Sequence, residues 1–78
     1  MFKQILSYVK DDKLKLIVLK NKVDIINYKD IIIFEDNKIV IDCNEMIIKV
    51  HGSNLIINKL EDKEVLIEGL ITSIDFKW

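Results

Sequence analysis

The sequence contains no proline, no arginine and no alanine, and it has one cysteine, one histidine and two glycines. Each shortage excludes something. A lone Cys43 cannot form an internal disulfide, so a secreted scaffold held by disulfides is ruled out. Two isolated glycines, Gly52 and Gly69, cannot build a glycine-rich phosphate loop. Cys43 and His51 are too few for a Cys/His zinc site, and the acidic residues do not follow the spacing of a calcium-binding loop. Long hydrophobic runs are also missing. The longest are Leu16–Leu19 and Ile31–Phe34, whereas a membrane-spanning helix needs about 20 mostly apolar residues. Lys10, Asp11, Asp12 and Lys13 interrupt the N-terminal region too early for a signal peptide. The expected location is the cytoplasm.

Charge is balanced: 12 lysines against 13 acidic residues leave a net charge of −1. Over most of the chain lysines are interleaved with Asp and Glu, so no basic face for nucleic acid stands out. The acidic pairs Asp11-Asp12, Glu35-Asp36 and Glu61-Asp62 each sit beside lysine in a turn and read as solvated charge. What the chain has in excess is β-branched residues, with 16 Ile and 6 Val beside 8 Leu among its 78 residues. Such side chains are stiff at χ1 and pack well on pleated sheets. A domain of this size buries only about 60–65% of the surface its unfolded chain exposes, so its stability is marginal.

Residues 1–12 read differently from the rest. Phe2, Ile5, Leu6 and Val9 recur at helical spacing, which predicts a short amphipathic helix closed by Asp11-Asp12. A helix that short is unstable alone in water, so its apolar face needs a surface to dock on. Residues 13–78 read as a single all-β domain. Strand-like runs cover Leu14–Leu19, Val23–Tyr28, Ile31–Phe34, Ile39–Cys43, Met46–Val50 and Leu55–Leu60, and Glu64–Trp78 is too long for one uninterrupted strand. Turns are expected at Lys20–Lys22, Glu35–Lys38, Asn44-Glu45, His51–Asn54 and Glu61–Lys63, where Asn, Asp and Gly tolerate left-handed backbone. Gly69 predicts a bulge or bend. The spacing predicts an antiparallel meander of six to seven strands rolled into a small barrel or sandwich.

The order of these segments resembles the YabP/YqfC family of small sporulation proteins. The resemblance is carried by Asn27-Tyr28-Lys29 before an apolar strand, then by Phe34-Glu35-Asp36-Asn37-Lys38-Ile39. It continues through Ile48-Lys49-Val50-His51-Gly52-Ser53-Asn54-Leu55 and the Ile67-Glu68-Gly69 step within Glu64–Phe76. Asp30 stands where the family usually has Gly, and the family's upstream Pro-Arg segment is missing. The resemblance implies a mother-cell cytoplasmic protein needed for spore development, with a membrane-associated partner. It implies no enzymatic activity and no cofactor, and it supplies no catalytic residues.

The residues themselves support the same expectation. Cys43 shares a face with Ile39 and Ile41 and reads as a buried small hydrophobe. His51 beside Gly52 reads as a surface turn residue, about 16 Å from Cys43 along the opposite strand. No catalytic, metal or cofactor site is expected. Tyr28, Phe34, Phe76 and Trp78 alternate as strand residues do and read as core. Partner binding falls to the Phe2/Ile5/Leu6/Val9 face and to Trp78, which closes the barrel's end or sits in an interface. Ile17/Val18, Ile25/Ile26, Ile31–Ile33 and Ile56/Ile57 put apolar groups on both sheet faces, which predicts a homo-oligomer. The resulting expectation is a non-enzymatic interaction or assembly protein. The alternative is a small β-barrel module that binds nucleic acid or a small ligand.

Overall fold

A computed structural model describes residues 13–78. Six strands run β1 (Lys15–Leu19), β2 (Lys22–Ile26), β3 (Asp30–Phe34), β4 (Lys38–Asp42), β5 (Ile47–Leu60) and β6 (Glu64–Lys77). All pairings are antiparallel, in one open sheet of order β1-β2-β6-β5-β4-β3. No helix occurs among the described residues, and the helix expected from Phe2, Ile5, Leu6 and Val9 lies outside them.

The β5–β6 hairpin organises the fold. Its strands are 14 residues each, about twice the usual length, and the ladder between them shifts register at His51/Gly52, Ser53/Ile56 and Ile57/Lys59. These bulges divide the ribbon into two halves. β4 and then β3 add to β5 along Ile47–His51, whereas β2 and then β1 add to β6 along Glu64–Glu68. The inward residues of both halves merge into one core. Val23, Ile25, Val65 and Ile67 come from the β1–β2 half, and Ile39, Ile41, Ile48 and Val50 from the β3–β4 half, all at 0% exposure. The open sheet therefore curves around one shared core. The barrel does not close, since no Cα of β1 comes within 8 Å of one in β3.

Two features of the bend correct the sequence reading. His51–Asn54 is no turn but the middle of β5, so the two strands expected on either side of it are one. Gly52 serves there by its lack of a side chain, because a Cβ would run into the Leu70 carbonyl oxygen. The positive-φ glycine is Gly69, at +141°, whose Cβ would lie 2.8 Å from the Asn54 oxygen. The turns of the two short hairpins brace this place. Gly52 N–H donates to Asn37 O at 3.1 Å, Leu55 N–H to Asp36 O at 2.8 Å, and Gly69 N–H to Asn21 O at 3.1 Å. Backbone donors that the bulges release from the ladder are thus satisfied locally.

The turns lie where Asn and Asp predict them. Asn21 and Asn44 adopt left-handed φ of 64° and 73°, which asparagine tolerates better than most residues. Among the described residues the core is aliphatic apart from Cys43, which corrects the expectation that Phe34, Phe76 and Trp78 fill it. Phe34, Phe76 and Trp78 are exposed. Of the described aromatics, Tyr28 alone packs against the core, with its hydroxyl donating to Glu61 O at 2.9 Å.

Candidate protein-binding surface

The β4–β5 turn brings Asn44, Glu45 and Met46 next to the end of β6. Cys43 N–H donates to Met46 O at 2.8 Å, and Asn44 N–H donates to the Asp42 carboxylate at 2.9 Å, which sets the turn. A cleft of about 500 Å³ opens here, lined by Lys13, Leu14, Asn27, Cys43, Asn44, Glu45, Met46 and Trp78. A second, shallower depression on the other side of Trp78 adds Ile32, Asp42, Ile47 and Lys77. Trp78 stands between the two at 83% exposure. Its ring leans on Phe76, with centroids 6.3 Å apart at 39°, a tilted geometry favoured by aromatic pairs. The Asn27 side-chain amide donates to Lys13 O at 2.7 Å and fixes where the chain enters this end of the sheet.

Of the sequence-predicted site residues, Trp78 is therefore on the surface, beside two depressions of mixed polar and apolar lining. Phe2, Ile5, Leu6 and Val9 lie outside the described residues, but the first described residue, Lys13, lines the same cleft. Sequence reasoning missed Phe76, Ile32, Met46 and Ile47 as rim residues. The period of two that puts Phe76 and Trp78 on one face was visible; that this face overhangs the β4–β5 turn was not.

Cys43 and His51 are kept apart. Cys43 follows the inward face of β4 and is 5% exposed. Burial, helped by the Asp42 carboxylate, pushes its thiol up to about 11, so it stays protonated and unreactive near neutrality. His51 lies within β5 opposite Lys38 and faces the outer side, where its Nε2 sits 3.2 Å from Asp75 Oδ2. It is half-buried in a strand, and the surface-turn reading is corrected accordingly. Among the described residues no group of three or more His, Cys, Asp or Glu gathers around a metal-sized space.

One carboxyl pair is perturbed. Asp24 on β2 and Glu64 on β6 share the outer face of the β1–β2 half, and Asp24 Oδ1 is shielded with no hydrogen-bond partner. Burial first, then the hydrogen bond and negative charge of Glu64, push Asp24 up to about 6. Glu64 is held below its usual range, chiefly by the hydrogen bond from Asp24, with Lys59 at 3.3 Å assisting. Below about pH 6 Asp24 thus keeps a proton that it donates to Glu64. None of these three residues lines the cleft, so the pair belongs to the sheet surface.

This pair makes a pH prediction. The raised Asp24 pKa gives stability that is complete below its unfolded value near 4 and is lost as pH rises through about 6. Asp24→Asn donates the same hydrogen bond at every pH. Its advantage over wild type should grow between pH 4 and 7, to on the order of 1 kcal/mol after allowing for solvent screening. Urea titrations at pH 4, 5.5 and 7 measure it, and a difference that does not change with pH would refute the assignment.

Comparison with known proteins adds one match. The YabP family model matches residues 10–78, which includes the whole sheet and the Trp78 rim. No curated protein and no solved structure matches.

Proposed function

Because this chain belongs to the YabP family, we propose that it is a non-enzymatic protein of endospore formation that works by binding other proteins. The family match supports the role in sporulation. The mother-cell cytoplasm as its place and a membrane-associated protein as its partner follow from the family resemblance and form part of the proposal. The observation that carries the binding role is the Trp78 rim. A tryptophan left 83% exposed over a cleft, with Phe76, Ile32, Met46 and Ile47 around it, is the kind of aromatic anchor that dominates protein interfaces.

The test is genetic and structural together. Deleting the gene in the source bacterium should lower the yield of heat-resistant spores by orders of magnitude and leave vegetative growth unchanged. A Trp78→Ala allele should restore less than a tenth of that yield. Because Trp78 is exposed, this variant should melt within a few degrees of wild type, so the defect is one of binding and not of folding. Normal spores from the deletion strain would refute the sporulation role. Full complementation by Trp78→Ala would refute the site.

A further inference from the structure

The open sheet ends in two strands of opposite character. β1 is flanked by lysines on both sides: the stretch 13–22 holds Lys13, Lys15, Lys20 and Lys22 and no acidic residue. β3 is acidic on balance: it starts at Asp30, next to Lys29, and runs into Glu35 and Asp36, so the stretch 29–36 holds three acids against one lysine. Each strand is five residues long, and among the described residues each is paired on one side alone, to β2 and to β4 respectively. Each also exposes large apolar side chains between its charged flanks. On β1 these are Ile17, Val18 and Leu19, at 41%, 53% and 60% exposure, and on β3 they are Ile32 and Phe34, at 52% and 56%.

We infer that β1 of one copy of this chain pairs with β3 of the next, extending the sheet from molecule to molecule. An edge strand with unpaired backbone groups and exposed β-branched side chains is a template for another strand. Charge decides which strand is accepted. β1 against β1 would set lysines beside lysines, and β3 against β3 would set acids beside acids, at a cost on either side. β1 against β3 sets the basic flanks beside the acidic flanks whichever way the incoming strand runs. The edge lysines and acids therefore block symmetric pairing and permit the mixed one. The two edges do not meet within one chain, since no Cα of β1 lies within 8 Å of β3. A contact of this kind is head-to-tail: each molecule keeps one edge of each sort available, so assembly continues or closes as a ring and does not stop at a two-fold dimer. The inference does not rest on the partner proposed above, although Ile32 and Lys13 belong both to the surroundings of Trp78 and to the two edges.

Two charge-reversed variants test it by light scattering and sedimentation at low salt. In the first, Lys13→Glu, Lys15→Glu and Lys20→Glu make both edges acidic; in the second, Asp30→Lys and Glu35→Lys make both basic. The wild-type chain should form species larger than a dimer at high micromolar concentration and revert towards monomer in 1 M salt. Each variant alone should remain monomeric, with a wild-type circular dichroism spectrum showing that it is folded. An equimolar mixture of the two should regain the large species, because the acidic edges of one now face the basic edges of the other. A monomeric wild type overturns the inference and leaves the edges to a different protein. So does a folded variant that assembles alone as wild type does, or a mixture that stays monomeric.

Discussion

Gly52→Ala should lower the melting temperature by more than about 10 °C or prevent folding, because a 2–3 kcal/mol loss in a domain this small costs about 4–8 °C per kcal/mol. The added methyl would run into the Leu70 carbonyl oxygen, a backbone atom of the paired strand, and would approach Leu55 Cδ2 to 3.0 Å. The leucine methyl can turn aside. The carbonyl can move only if β5 and β6 separate where the ribbon bends, which also strains the Gly52 and Leu55 hydrogen bonds to the β3–β4 turn. Gly69→Ala meets a second obstacle, since φ of +141° is a conformation that alanine rarely adopts. Ser53→Ala, exposed in the same stretch, is the control and should be close to neutral. Thermal melts followed by circular dichroism decide the matter. A Gly52→Ala protein melting within 3 °C of wild type would show that the bend does not depend on that close approach.

The second large effect is in the core. Ile41 has no solvent exposure and pairs with Ile31 on β3 and Ile48 on β5. Ile41→Ala should cost about 2–5 kcal/mol through lost burial and the cavity left behind, and Ile41→Val about 0.5–1.5 kcal/mol. A domain of this size has only a few kcal/mol in hand, so the alanine variant should be partly unfolded at 37 °C. Ile56→Ala deletes the same atoms at a site 53% exposed and should shift the urea midpoint far less. Equal midpoints for Ile41→Ala and Ile56→Ala would contradict the inward assignment of β4.

Much of this arrangement was legible before the structure. The alternation Ile39, Ile41, Cys43 against Asp42 placed the core face of β4 correctly, and the turns at Glu35–Lys38, Asn44-Glu45 and Glu61–Lys63 lie where expected. The two-sided apolar strands were legible too: Ile25 is buried while Ile26 faces out, and Ile17, Val18, Ile32 and Ile56 remain exposed. The aromatics misled. A period of two says that Phe34, Phe76 and Trp78 alternate, but not which side of the sheet is covered along their length. Phe34 and the Phe76 end lie on edges of the bent sheet, where no second layer reaches over them.

The sequence by itself determined the all-β class and the turns at Lys20–Lys22, Glu35–Lys38, Asn44-Glu45 and Glu61–Lys63. These depend on β-branched stiffness, on alternation and on the tolerance of Asn and Asp for left-handed backbone, all of which act within a few residues. Only the tertiary structure decided that His51–Asn54 bends one long strand, that Gly52 and Gly69 each lie against the opposite strand, and that the order is β1-β2-β6-β5-β4-β3. A glycine in a turn and a glycine at a bend read alike along the chain. The difference is what stands across from it, and for Gly52 that is Leu70 O, a neighbour supplied by pairing between distant segments.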